Sequence, residues 1–185
     1  MAIDIPLLID QHRVALECVA SMQDQILQAV ELLEQTLAAG NTVYICGNGG
    51  SASDAQHFAA ELTGRFERDR PGYAAVALTT DCSALTSIGN DYGFEHVFSR
   101  QLSALGREGD LLIGLSTSGN SANVIKAVEQ AQQHGLKTIA LLGKDGGQLK
   151  SMADVALTIT VDRTARIQEM HILLLHMFCE PFERT

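Results

Sequence analysis

From Thr42 onward the chain alternates between two patterns, and that alternation leaves few folds open. Short apolar and β-branched runs occur at Thr42–Cys46, Ala75–Leu78, Leu111–Leu115, Thr138–Leu142 and Val155–Val161. Helical stretches lie between and after them, at Ser51–Thr63, Ser83–Ile88, Phe94–Leu105, Ala122–Gln133 and Thr164–Cys179. Most of the short runs do not alternate polar with apolar residues, as expected of strands buried on both faces. Strand–helix alternation of this kind predicts an α/β fold, a parallel sheet with helices on both faces. The stretch before Gly40 has no glycine, and Leu16, Val19, Met22, Ile26, Val30 and Leu33 recur at helical spacing. It predicts one long helix or two, ending before Gly40. There are only three prolines and no repeat or low-complexity tract. A single domain over residues 1–185 is therefore expected, with N-terminal helices over 1–40 and an α/β core over 41–185.

Ligands of such sheets sit at the carboxyl ends of the strands. Three glycine- or serine-rich loops fall there: Gly47–Ser51, Ser116–Ser121 and Gly143–Gly147. The turn Ser116-Thr117-Ser118-Gly119-Asn120-Ser121 joins an apolar strand to a helix and carries four hydroxyls in six residues. A helix cap needs one hydroxyl. Several hydroxyls and backbone N–H groups directed at one point make a phosphate receptor. The turn lacks the lysine of a nucleotide-hydrolysing loop, which favours a monophosphate on a small metabolite. Gly47-Asn48-Gly49-Gly50-Ser51-Ala52 fits a loose dinucleotide fingerprint, but such sites want an acidic residue roughly 20 residues on. The next strand instead ends near Thr79-Thr80-Asp81. Close approach of a ligand to the backbone suits these glycines better.

The net charge of −9 argues against a general nucleic-acid binder. Four cysteines, Cys18, Cys46, Cys82 and Cys179, lack paired spacing and read as thiols of a reducing compartment. No signal peptide is visible and no apolar run reaches the ~18 residues of a membrane span, so a cytoplasmic protein with no membrane contact is expected. His57 and Glu61 share one face of their helix. Gln168, His171 and His176 interrupt an otherwise apolar last helix, where unpartnered polar groups are costly. His57, Glu61, Gln168 and His176 would suit a divalent metal such as zinc. Gln168 and His176, however, stand ~12 Å apart along one helix. A bend, or a second chain contributing to the site, would have to bring them to one ion. The apolar first and last helices also call for partners, so a homo-oligomer is expected.

With these residues in hand, the chain resembles the phosphoheptose isomerases of the sugar-isomerase (SIS) family. The resemblance runs through Cys46-Gly-Asn-Gly-Gly-Ser51, His57-Phe-Ala-Ala-Glu61-Leu-Thr-Gly-Arg65, Gly89-Asn90-Asp91-Tyr-Gly-Phe94 and Phe98-Ser-Arg100. It continues through Ser116–Ser121, Gly143-Lys-Asp-Gly-Gly147 and Arg166-Ile-Gln-Glu-Met-His171. It implies a five-stranded parallel sheet sandwiched by helices and, as the usual assembly, a homotetramer. It implies conversion of sedoheptulose 7-phosphate to D-glycero-D-manno-heptose 7-phosphate, early in activated-heptose (lipopolysaccharide core) biosynthesis. One zinc ion per subunit is implied at His57, Glu61, Gln168 and His176. Substrate binding is implied at Asn48, Gly49, Gly50, Asn90, Asp91, Ser116, Thr117, Ser118 and Ser121, with Glu61 and Gln168 also touching substrate. Glu61 is the expected base and His176 its partner acid; Asp91, on the loop after Asn90, is expected to orient sugar hydroxyls. A paralogue of the same fold binds the bacterial replication initiator and replaces the positions of Glu61 and His176. This chain keeps both, which favours the enzyme over the adaptor. An isomerase of another phosphosugar is the remaining alternative.

Overall fold

The buried apolar runs pair side by side. In the computed structural model, which describes residues 3–183, strands β1 (Val43–Cys46), β2 (Ala75–Ala77), β3 (Leu111–Ser116), β4 (Lys137–Gly143) and β5 (Val155–Ile159) form one sheet in the order β2-β1-β3-β4-β5. Every neighbouring pair is parallel, with Ile45 beside Ile113 and Leu141 beside Leu157. Strands β1 and β3 are buried along their whole length, which accounts for their unbroken apolar character. β2, at the edge, is short and partly exposed.

Alternate side chains of each strand feed two separate cores. On one face, Val43, Ile45, Ile113 and Leu141 pack with Leu33, Phe58, Leu62, Ile167 and Leu174. These come from α2 (Gln23–Ala38), α3 (Gly50–Thr63) and α8 (Thr164–Cys179), and α1 (Ile5–Ala20) adds Ala15 and Val19. On the other face, Tyr44, Cys46, Leu112 and Leu142 pack with Phe98, Leu102, Val124, Val128 and Leu149. Those belong to the layer of α5 (Ser99–Leu105), α6 (Ala122–Gln133) and α7 (Leu149–Met152).

The N-terminal stretch is two helices. Asp4 caps α1, its Oδ1 accepting the Leu7 N–H at 3.1 Å. The chain breaks at Ser21–Met22, where the Ser21 hydroxyl donates to the Cys18 carbonyl at 2.8 Å. Helix α4 spans Cys82–Tyr92, longer than the expected Ser83–Ile88. Asp81 caps it through the Ala84 N–H at 2.9 Å, and Gly93 at φ +93° ends it. Asn90 and Asp91 therefore lie in the last turn of a helix, not on a loop. The expected helix Phe94–Leu105 is divided into a 3-10 turn, Phe94–His96, and α5. The pair Val97–Phe98 between them is buried in the second core. Strand β5 stops at Ile159, before Val161, and the short α7 carries no periodicity long enough to be read.

Candidate active site

The chain leaves β1 toward β2 and returns to place β3 on the other side of β1. Loops following β1 and β3 therefore diverge, and the crevice between them is where open α/β sheets bind ligands. The Ser/Thr turn follows β3. Ser116 and Ser121 hydroxyls bond each other at 2.8 Å, and Ser118 Oγ accepts the Asn120 N–H at 3.1 Å. Ser121 is the N-cap of α6, yet among the described residues no side chain caps that helix. Its hydroxyl is turned to Ser116 instead; the Val124 N–H bonds the Ser121 carbonyl at 3.0 Å, and among the described residues the Ala122 and Asn123 N–H groups have no side-chain acceptor. Thr117 and Ser118 are half-buried beside them. The Gly143–Gly147 loop braces this turn from behind. Gly119, at φ +66°, lies so close that a Cβ there would sit 1.9 Å from the Gly146 carbonyl oxygen. The Gln148 N–H donates to Asn120 Oδ1 at 3.1 Å, and the Leu149 N–H to the Gly119 carbonyl at 3.1 Å.

The glycine loop after β1 is tied to the same crevice. Asn48 and Asn123 exchange reciprocal amide hydrogen bonds, both 2.8 Å. Gly49 adopts φ +60°, ψ −120°, a conformation that favours glycine. Gly50 opens α3, and a Cβ there would collide with the Gln168 amide at 2.7 Å. Gln168 thus faces the loop at the N-terminal ends of α3 and α8.

About two turns further along both helices, the titratable groups meet. His57 Nε2 lies 3.1 Å from His176 Nε2 and 3.1 Å from Glu61 Oε1. Two ring nitrogens face each other at that distance only with a proton or a cation between them, since two lone pairs repel. Phe66 covers His176 at 5.6 Å between ring centroids. Asp54, one turn before His57, has an Oδ2 that is buried without a hydrogen-bond partner among the described residues. Burial raises its pKa, opposed by the nearby His57 and His176.

These residues fit a divalent cation in their chemistry. Among the described residues no group of three or more His, Cys, Asp or Glu is arranged to hold a metal ion as it stands. Tetrahedral zinc, with ligands at ~2.0–2.1 Å, sets neighbouring donors about 3.4 Å apart, so His57 Nε2 would stand about 0.3 Å farther from each of His176 and Glu61 than it does here. The orphaned Asp54 oxygen adds a negative group that a cation would offset. Gln168 is not brought to His176: α8 runs unbroken between them.

The other polar member of α8, His171, is fully buried, with its Nε2 at 3.0 Å from the Leu142 carbonyl. Burial pulls its pKa down to about 4. It is a neutral core residue that donates a hydrogen bond to β4. Asn90 and Asp91 are exposed and bond each other, Asn90 Nδ2 donating to Asp91 Oδ1 at 2.7 Å. Neither hydrogen-bonds to another candidate residue among those described. Two site residues escaped the sequence analysis. Asn123 could have been found as an amide in the first turn of α6, and Asp54 by continuing the His57–Glu61 face one turn back.

The SIS domain family profile matches residues 9–143. The chain is 56% identical over 174 residues to a phosphoheptose isomerase of Helicobacter pylori (strain P12), covering 94% of this chain and 91% of that protein. It is 61% identical over 157 residues to a phosphoheptose isomerase of Neisseria meningitidis serogroup C, covering 83% and 80%. The solved structure of phosphoheptose isomerase GmhA from Neisseria gonorrhoeae is similar throughout, with a TM-score of 0.89, 52% identity and coverage of 96% and 95%.

Proposed function

The chain belongs to the SIS-domain family and, within it, to the phosphoheptose isomerases, and on that premise we propose how its residues carry the reaction. It is an aldose–ketose isomerase of heptose biosynthesis. Its substrate is D-sedoheptulose 7-phosphate and its product D-glycero-D-manno-heptose 7-phosphate.

The phosphate is held by Ser116, Thr117, Ser118 and Ser121 with the uncapped N–H groups at the start of α6. Asn48, Gly49, Gly50 and Gln168 line the path of the sugar, and Asn90 and Asp91 orient its hydroxyls. Fixing the anionic end places C1 and C2 at the carboxylate–imidazole pair. Glu61 removes a proton from C1 while His176 protonates the C2 oxygen, giving the enediol. His176 then takes the proton of the C1 hydroxyl, and Glu61 returns its proton to C2. Each group ends in the state in which it began. One zinc ion per subunit, held by His57, Glu61 and His176, would polarise the carbonyl oxygen as a Lewis acid. Gln168 would join this set only through a bend in α8 or from another copy of the chain. A carboxylate bound tightly to a cation is a poorer base, so Glu61 must be free of it when it accepts the proton.

The observation that carries this reading is the approach of His57 to both Glu61 and His176, each at 3.1 Å. Incubating the purified protein with sedoheptulose 7-phosphate should yield an aldoheptose phosphate. Glu61→Gln should abolish that turnover without unfolding the chain; full activity in this variant would remove Glu61 from the base role. Chelation should lower the wild-type rate and zinc should restore it. A cytoplasmic homotetramer completes the reading, supported by four free cysteines and by apolar side chains exposed on α1.

A further inference from the structure

The loop that follows α3 folds back on the helix it leaves. At Gly72 it passes so close that a Cβ would lie 2.2 Å from the Thr63 carbonyl oxygen, and the Tyr73 N–H donates to the Leu62 carbonyl at 2.9 Å. This return carries Arg70 beneath the C-terminus of α3, where the last carbonyls have no intrahelical donor. Arg70 Nη2 donates to the Glu61 carbonyl at 2.8 Å, and Nη1 to the Leu62 carbonyl at 3.1 Å. The guanidinium stacks over Tyr73 at 4.8 Å, and the side chain is only 8% exposed. A cation here also complements the negative end of the helix dipole.

The counter-charge comes from the far side of the site. Glu183 Oε1 lies 3.6 Å from Arg70 Nε, and its Oε2 accepts the Arg68 N–H at 2.5 Å. Glu183 closes the 3-10 turn Glu180–Glu183 that continues directly from α8, and Phe182 of that turn packs on Tyr73 at 4.9 Å. The C-terminal ends of α3 and α8 are thereby joined by a buried ion pair. One helix carries His57 and Glu61, the other His176. Between them the same helices pack through apolar side chains, such as Phe58 edge-on to Phe178 at 6.4 Å.

We propose that Arg70 and Glu183 are positioning residues for the isomerisation, a latch that sets the axial register of α3 against α8 and so holds His176 to His57 and Glu61. The proposal rests on the acid–base and metal roles given to those three side chains. It concerns the chemical step alone, because the phosphate grip belongs to β3 and α6.

The test compares wild type with Glu183→Gln, Arg70→Lys and Arg70→Ala. For each, the melting temperature, kcat and KM for sedoheptulose 7-phosphate, and zinc affinity by chelator competition are measured. Glu183→Gln keeps size and both carbonyl contacts of Arg70, so it should remain folded. Its kcat should fall by about tenfold to a hundredfold with KM within about twofold of wild type, since a displacement of about 1 Å costs that much in a chemical step. Its zinc affinity should fall about tenfold. Arg70→Ala should lose more than Arg70→Lys. Wild-type kcat and zinc affinity in folded Glu183→Gln, or a loss matched by the unfolded fraction, would overturn the latch. In that case Glu61→Gln would still be inactive. Full turnover by Glu61→Gln would instead overturn the underlying assignment, and the latch with it.

Discussion

Ser121 sits where a helix cap belongs but points its hydroxyl at Ser116, 2.8 Å away, instead of at its own helix. The N–H groups left uncapped in that turn suit an anion. Ser121→Ala should therefore raise KM with little change in kcat. A hydroxyl bond to a charged phosphate is worth roughly 1.5–3 kcal/mol, or about tenfold to 150-fold in KM; unchanged KM would move the phosphate elsewhere. His171 makes a different prediction. Its folded pKa is about 4, below the ordinary value of 6.5. Above pH 6.5 the ring is neutral in both states and contributes nothing to pH dependence. As pH falls toward 4, the unfolded chain binds a proton that the folded chain refuses, so stability drops by up to about 3 kcal/mol. Thermal melts between pH 7 and 4 should show this decline, and His171→Gln should flatten it. The two histidines of α8 illustrate what residue spacing can tell. It marked both as anomalies in an apolar helix, but which one is a satisfied core group depends on the Leu142 carbonyl, supplied by a strand distant in sequence.

At the level of elements, apolar periodicity located every strand and most helices, because burial on both faces leaves an unbroken apolar run. It failed where tertiary contacts decide the ends. The Asp81 cap and the positive φ of Gly93 set the limits of α4, and the helix expected after it is divided at Val97–Phe98, which pack into the second core. The α3 face was legible through His57 and Glu61, and the polar residues of α8 marked that helix as its partner, yet which of them comes to His57 was not legible, since the packing of helices distant in sequence leaves no local pattern. The Ser/Thr turn was legible by composition; its brace was not. Gly119→Ala tests that brace. With φ +66° and the Gly146 carbonyl in the way of a Cβ, the variant should lose at least about 2 kcal/mol of stability. It should also weaken substrate binding more than Ser118→Ala does, as read by melting and by KM.

Over the whole molecule, α1 leaves Ile5, Ile9 and Leu16 exposed along one stripe and Leu7 and Val14 along another. The second stripe borders a groove of about 410 Å³ shared with Val161 and Arg166. Apolar surface of this kind marks association. Light scattering should give a mass of four chains, and Ile9→Glu with Leu16→Glu should shift it toward smaller species; a monomeric, active wild type would refute the assembly. The sheet has a further consequence. Its two apolar clusters share no side chain, and the crevice straddles them, with the Asn48–Asn123 amides as a bridge. The residues proposed for anchoring and those proposed for hydrogen transfer thus belong to separately packed compartments. A lineage built on this plan can exchange its reaction by rewriting one compartment while the other keeps its hold on the anion.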